Sequence, residues 1–166
     1  LQNPDHVLLK ARALSQANPY CTPSEQLAAV YEAYQQQPHR YLRQAYIHAL
    51  IRNQDYQKAY QEAQTLLKQV TLDTEALLSL VLCAFHLSKI DEAIRHCETL
   101  REKLPHSQDI LAVYLMLLIQ NGASFESLKP MFEGLYTHAT YSPRIALYCI
   151  ELLSIWEQYT PAQTLT

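Results

Sequence analysis

The chain has 166 residues, a formal net charge of −3 and only two glycines, Gly122 and Gly134. Because α/β enzymes need glycines at turns, phosphate-binding loops and strand ends, this composition argues against that class, and also against β-sandwiches with many tight turns. A weakly acidic chain has no general attraction to nucleic acid or an acidic membrane, and no apolar run reaches the roughly 18 residues that a transmembrane helix needs.

Helical periodicity and helix breakers divide the chain into nine predicted helices joined by short loops. In chain order they cover roughly residues 4–17, 24–36, 39–52, 55–69, 73–87, 90–103, 107–120, 124–138 and 143–158. Asp73 or Thr74 and Ser107 are the predicted N-caps of two of them, and Ser142 with Pro143 opens the last. The sequence therefore predicts an all-α fold.

Two of the predicted helices match each other at a fixed offset along the chain. Ala59 and Ala93 lie 34 positions apart, and each is followed by apolar residues at offsets of four and seven. The two apolar stripes consist of Ala59, Ala63 and Leu66, and of Ala93, Cys97 and Leu100. These offsets place each stripe on one face of a helix, and a fixed period indicates stacked structural repeats.

A two-helix unit of roughly 34 residues with small residues in its second helix resembles the tetratricopeptide repeat. The residues that match the family pattern in type are Ala93, Cys97, Leu100 and Pro105. The glycine that the family places in the first helix is replaced by Ile47 and Val81, so the repeats are degenerate. The resemblance implies a right-handed αα-superhelix of about four helix pairs in a single domain, residues 1–166. The expected repeats are roughly residues 4–38, 39–72, 73–106 and 107–140, followed by a capping helix at 143–158.

In this family the first helix of each pair lines a concave wall. The resemblance therefore implies a partner-binding groove made of Tyr41, Gln44, His48, Arg52, Leu78, Leu82, Phe85, His86, Met116 and Ile119. The groove is polar at one end and apolar in the middle, which suits a helix or an extended apolar segment of a partner. The alternative is that Leu78, Leu82 and Phe85 are ordinary core residues.

No motif with a known chemistry accompanies the groove. The four cysteines are widely spaced, and Cys83, Cys97 and Cys149 fall on apolar helical positions, so we expect reduced core thiols. The seven histidines lack metal-ligand spacing, and the sequence contains neither a nucleophile motif nor a phosphate-binding loop. We expect no catalysis, no cofactor and no metal.

The expected function is a protein–protein interaction module, an adaptor or assembly scaffold, that binds another protein and no nucleic acid. One alternative is a secretion-type chaperone that cradles a client protein. Another is the repeat region of a larger enzyme, such as a transferase. Because the chain starts at Leu1 without a methionine or a basic leader, it reads as an excised fragment or a mature chain. The expected reduced thiols and the absence of an N-x-S/T sequon favour a cytoplasmic location.

Overall fold

The structure is a computed structural model that describes residues 6, 7, 9, 10, 13, 21–70 and 73–159, with side chains up to residue 155. These residues form eight complete α-helices and contain no β-strand. The helices are α1 (Pro23–Gln36), α2 (Arg40–Arg52), α3 (Tyr56–Gln69), α4 (Thr74–His86), α5 (Ile90–Lys103), α6 (Gln108–Gln120), α7 (Phe125–Ala139) and α8 (Pro143–Tyr159). Their ends agree with the predictions to within about one residue, which is the ordinary uncertainty of a helix end. The predicted helix at 4–17 lies mostly outside the described residues.

Three helices repeat with the predicted period. Helices α2, α4 and α6 each have 13 residues and start at Arg40, Thr74 and Gln108, so both intervals equal the one between Ala59 and Ala93. Each is followed by a residue with left-handed backbone: Gln54 (φ 61°), Ser88 (φ 59°) and Gly122 (φ 85°). The period is therefore confirmed in the backbone itself.

The hydrogen bonds of these three helix ends are the same. The N–H of Gln54 donates to the carbonyl of Ile51, and the N–H of Asp55 donates to the carbonyl of Leu50, both at 3.0 Å. Ser88 and Gly122 start the same pair of bonds at their helix ends. This pattern is the Schellman motif, which satisfies carbonyls that the helix leaves without intrahelical donors.

Short polar side chains fix the starts of several helices. The Asp73 carboxylate accepts from the N–H of Ala76 at 3.0 Å, and the Ser107 hydroxyl accepts from the N–H of Ile110 at 3.5 Å, as predicted. Thr22 and Glu25 form a reciprocal capping box at α1. The hydrogen bonds from Thr22 lower the pKa of the Glu25 carboxyl. Each cap pairs backbone donors that would otherwise lack a partner.

Residues 1–89 form a first compact unit. Within it, neighbouring helices from α1 to α4 pack in chain order, and α2 also packs on α4. Its largest fully buried side chains include Leu42, Ile47, Leu50, Leu66, Leu77 and Leu80. Packing of each helix on its successor, and of alternate helices on each other, is typical of αα-repeats.

Residues 90–166 form a second compact unit with the same order of packing. Helices α5 to α8 pack in sequence, and α6 also packs on α8. One core cluster consists of Ala112, Leu115, Ile119, Leu128, Leu135, Ile145, Cys149 and Leu152. Within the described residues, no helix has both the length and the hydropathy that crossing a bilayer requires.

Candidate protein-binding surface on the first unit

Most of the predicted groove residues lie in the first unit, on the two helices α2 and α4 that pack against each other. Together they form what we call the α2–α4 surface: Tyr41, Gln44, His48 and Arg52 from α2, with Leu78, Leu82, Phe85 and His86 from α4. The amide of Gln44 donates to the carboxylate of Asp73 at the start of α4, at 3.0 Å. This bond joins the polar residues of α2 to the beginning of α4.

Helix α4 is apolar on two faces, and among the described residues only one of them is covered. Leu77, Leu80 and Val81 are buried in the first unit. Leu78 and Leu82 are 49% and 40% exposed, and they lie one turn apart on the same side of the helix. These two leucines are therefore exposed, whereas Phe85, the third residue of the core alternative, is half-buried. A helix with a second apolar stripe at the surface is a candidate for binding another protein.

Aromatic side chains continue the surface at the C-terminal end of α4. Phe85 is half-buried and meets the ring of His86 edge-on, with 5.4 Å between the ring centroids. The His86 ring stacks on Tyr56, the first residue of α3, at 4.1 Å and an interplanar angle of 7°. The stacking fixes the orientation of His86, so this end of the surface offers a preformed aromatic edge.

The α2 side of the surface is polar and partly buried. Tyr41, Gln44 and His48 are half-buried, and Arg52 is exposed and donates to the side-chain oxygen of Gln26 at 3.2 Å. Burial lowers the pKa of the His48 imidazole, Arg52 acts in the same direction, and Glu75 opposes them. His48 thus favours its neutral form, in which the ring offers both a hydrogen-bond donor and an acceptor.

The two predicted groove residues of the second unit have a different environment. Ile119 is 8% exposed and belongs to the core cluster, together with buried residues of α7 and α8. Met116 is partly buried and packs against the same cluster. Ile119 therefore contributes to the core rather than to an open wall, because its side of α6 is covered by the helices that follow.

A cluster of tyrosines and cations that the sequence patterns did not reveal joins α1, α2 and α3. The rings of Tyr34 and Tyr46 stack at 5.9 Å, and the Tyr31 ring lies 5.2 Å from that of Tyr46. Arg43 donates to the Tyr34 hydroxyl at 2.6 Å, and the ammonium of Lys58 lies 5.7 Å from the centre of the Tyr46 ring. Tyrosines spaced three residues apart on α1, facing a basic residue of α2, are the only sequence signal of this cluster.

Arg43 makes several contacts across this helix interface. Its guanidinium also donates to the amide oxygen of Gln69 at 2.7 Å and lies 3.5 Å from the carboxylate of Glu62. One side chain of α2 therefore bridges α1 and α3. Arg43, one of the three arginines of α2, thus serves packing within the unit.

The described residues offer little nucleophilic or metal-binding chemistry. Burial raises the pKa of the Cys83 and Cys97 thiols to about 11 and also raises that of Cys149, so the thiol form predominates at neutral pH. These three cysteines are buried and unbridged, as predicted. Among the residues described, no group of three or more His, Cys, Asp or Glu side chains is placed to hold a metal ion. The α2–α4 surface instead presents apolar contacts and hydrogen-bonding groups.

No protein-family model matches the chain, and no curated protein sequence matches it. Among solved structures, the fold is similar to that of MamA (41-end) from Desulfovibrio magneticus RS-1. The similarity covers 92% of this chain and 97% of that chain, with a TM-score of 0.64 and 13% sequence identity. At this identity the comparison shows the fold alone, which is an all-α helical repeat.

Proposed function

We propose that this chain is a protein-interaction module, an adaptor or assembly scaffold without catalytic activity, whose α2–α4 surface binds an apolar segment of another protein. The observation that carries the proposal is the exposure of Leu78 and Leu82 on a helix whose opposite face already forms the core. Covering the exposed halves of both side chains contributes on the order of 2 kcal/mol to binding. The two leucines are the proposed apolar anchors.

The surroundings of the two leucines define the chemistry of the partner. Interfaces combine apolar and polar side chains, and the α2–α4 surface offers both, with exposed leucines on α4 and polar residues on α2. On the α2 side, His48 and Arg52 offer donors to the backbone carbonyls or side-chain oxygens of a bound segment. The partner that fits is a helix with apolar residues one turn apart, or an extended segment with alternate apolar residues. The polar residues of α2 set its orientation along α4.

The test is capture of partners from the native cells with the tagged chain, followed by identification by mass spectrometry. Replacing both Leu78→Glu and Leu82→Glu should weaken capture at least tenfold, because two carboxylates then lose water at the interface and the apolar contacts are lost. Both sites are exposed, so the helix content and the melting temperature should stay close to those of the wild type.

The matched control is Leu104→Glu, at a leucine that is 42% exposed and follows α5 in the second unit. This variant should capture the same proteins as the wild type. Equal capture by the double variant and the wild type would contradict the proposed surface. If a captured protein is soluble only when this chain is present, the module acts as a chaperone, the alternative that the sequence left open.

A further inference from the structure

Helix α8 has two apolar faces, of which the second unit covers one. Ile145, Cys149 and Leu152 are each less than 5% exposed and belong to the core cluster. On the other side of the helix, Leu147 and Ile150 are both 60% exposed, and Leu153 is 41% exposed. A helix that is apolar all round is normally buried all round. The outer face of α8 therefore lacks a cover within the described residues.

The repeat shows what kind of element covers this face elsewhere. When α6 and α8 are aligned from their first residues, Gln108 and Pro143, the buried residues Ile110 and Leu117 correspond to the buried Ile145 and Leu152. The exposed residues of α8, Leu147, Ile150 and Leu153, then correspond to Ala112, Leu115 and Leu118 of α6. Those three residues pack in or against the core that α7 and α8 complete. The face of α6 that corresponds to the exposed face of α8 is thus covered by other helices.

The side chains of this outer face are arranged symmetrically about Ile150. Leu147 and Leu153 lie three residues before and after it, and the small residues Ala146 and Ser154 lie four residues before and after it. Viewed along the helix axis at 3.6 residues per turn, Leu147 and Leu153 each lie about 60° from Ile150, on opposite sides of it. Ala146 next to Leu147, and Ser154 next to Leu153, each lie about 40° from Ile150 on the side away from the neighbouring leucine. The pattern of large and small side chains reads the same in both directions.

Such a pattern is complementary to itself in an antiparallel pair. A two-fold axis beside Ile150 places Leu147 opposite Ser154 of the second copy and Leu153 opposite Ala146 of the second copy, so that each large side chain meets a small one. Arg144 and Glu151 lie about 100–120° from the centre of the face. The third charged residue of α8, Glu157, lies about 20° from the centre but seven residues beyond Ile150, so like charges do not meet in the middle of the face. A contact that uses the same patch on both subunits is the rule for two-fold dimers.

We propose that a second copy of this chain covers the outer face of α8, through an antiparallel two-fold contact centred on Ile150. The symmetric arrangement carries the choice of occupant, because a different protein would require no such symmetry. The contact uses residues of the second unit alone, so it leaves the α2–α4 surface of each copy unused. Its test is independent of partner binding.

The first test is the molar mass in solution, measured by sedimentation velocity over a range of concentrations. The wild type should approach twice the 19.1 kDa of one chain. Ile150→Glu should raise the dissociation constant of the dimer at least tenfold, because it brings two carboxylates together at the two-fold axis. Glu151→Gln, on the same helix but outside the face, should remain dimeric. Circular dichroism checks that the helix content is unchanged.

The second test fixes the geometry of the pair without disturbing its charge. In a background with the exposed Cys21→Ser, Ile150→Cys should form a disulfide between two copies under mild oxidation, because the axis brings the two positions together. Glu151→Cys should cross-link far more slowly. A wild type that stays monomeric at all concentrations, whether or not a helix of another protein covers α8, would overturn the proposal. So would a dimer that survives Ile150→Glu, or equal cross-linking at the two positions.

Discussion

The first and second units are built from the same repeat but differ in how much of the apolar surface of their helices is buried. In α2, Ile47 and Leu50 are 1% exposed, because α3 and α4 pack on that helix. The corresponding positions of α8 are Ile150 and Leu153, which are 60% and 41% exposed. The comparison teaches that a repeat helix carries more apolar surface than one neighbour can bury. Where no further helix among the described residues covers that surface, it is a candidate for binding.

The units also differ in how directional contacts join their helices: in the second unit they link pairs of helices, with Tyr114 bonded to Glu98 and Arg144 to Asp109. In the first unit, Arg43 and the stacked rings of Tyr34 and Tyr46 join three helices through directional contacts. The core cluster of the second unit consists of aliphatic side chains, a cysteine and sulfur or aromatic residues at its border. Aliphatic cores tolerate changes that conserve volume, whereas directional networks lose several contacts when one member is removed.

The largest expected effect comes from leucines at the same repeat position in the two units. Leu66 in α3 and Leu100 in α5 are separated by one repeat period and are 0% and 1% exposed. Leu66→Ala and Leu100→Ala should each lower the free energy of unfolding of their own unit by about 2–5 kcal/mol, because each leaves a cavity. Denaturation in urea measures the loss. Leu104→Ala, at an exposed site, should change stability by about 0.5 kcal/mol or less.

This pair of variants tests whether the two units share one packing scheme. Similar losses support the equivalence of α3 and α5. If Leu66→Ala strongly lowers the free energy of unfolding and Leu100→Ala has an effect as small as that of Leu104→Ala, α3 and α5 share a sequence pattern but do not pack their cores in the same way.

The left-handed residues at the helix ends give the next largest effect. At Gly122 an added Cβ meets no atom within 4 Å, so the cost of Gly122→Ala is one of backbone conformation, about 1–2 kcal/mol. Conversely, Gln54→Gly and Ser88→Gly should each raise the free energy of unfolding by about 0.5–1 kcal/mol. Both residues lie at the repeat position of Gly122, and glycine adopts the left-handed backbone there without the conformational cost of a side chain. Thermal melting of the three variants measures these shifts.

Gly134 provides the control for the glycine substitution. It lies inside α7, and a Cβ there also meets no atom within 4 Å. Gly134→Ala should therefore stabilise the protein by about 0.5–1 kcal/mol, the opposite sign to Gly122→Ala. Equal signs for these two substitutions would show that the backbone at residue 122 does not carry the strain assigned to it.

The smallest expected effect is a dependence of stability on pH that arises from half-buried histidines. Burial lowers the pKa of His48 in the first unit and of His96 in the second. Because the unfolded chain binds the proton first, stability is present above an unfolded pKa of about 6.5 and falls as the pH drops through the lower folded pKa. His48→Gln and His96→Gln should each flatten the decline in melting temperature between about pH 7.5 and pH 5.5.

The exposed His106 supplies the control for these measurements. His106→Gln should leave the slope of melting temperature against pH unchanged. A slope that is the same in the wild type and in both half-buried variants would mean that His48 and His96 are not desolvated in the folded protein.

Much of the fold could be predicted from the sequence, since its signals are local. The N-caps Asp73 and Ser107 and the alanine stripe around Ala59 mark helix starts and faces directly. The left-handed turns at Gln54 and Ser88 could not be predicted, because glycine is the usual sign of such a turn and only Gly122 carries it. At the other two residues the Schellman hydrogen bonds accompany the left-handed conformation, and both side chains are exposed.

The candidate site could be predicted only in part, because several helices are apolar on more than one face. In α4 and α6, periodicity alone does not separate the inner stripe from the outer one, and a shift of one residue rotates a side chain by about 100°. Leu82 proved to be exposed and Ile119 to be buried, although the same pattern predicted both for the groove. The neighbours of each helix decide between the two faces, and those neighbours are set by the whole fold.

The most direct test of the proposed function is site-specific photo-cross-linking in the native cells. Leu82→p-benzoylphenylalanine should give a discrete adduct with another protein, because Leu82 is one of the two proposed apolar anchors. The same substitution at Leu78 should give the same adduct, and at Leu104 it should give none. Absence of an adduct from both Leu78 and Leu82, or an identical adduct from Leu104, would contradict the claim that this surface binds a partner.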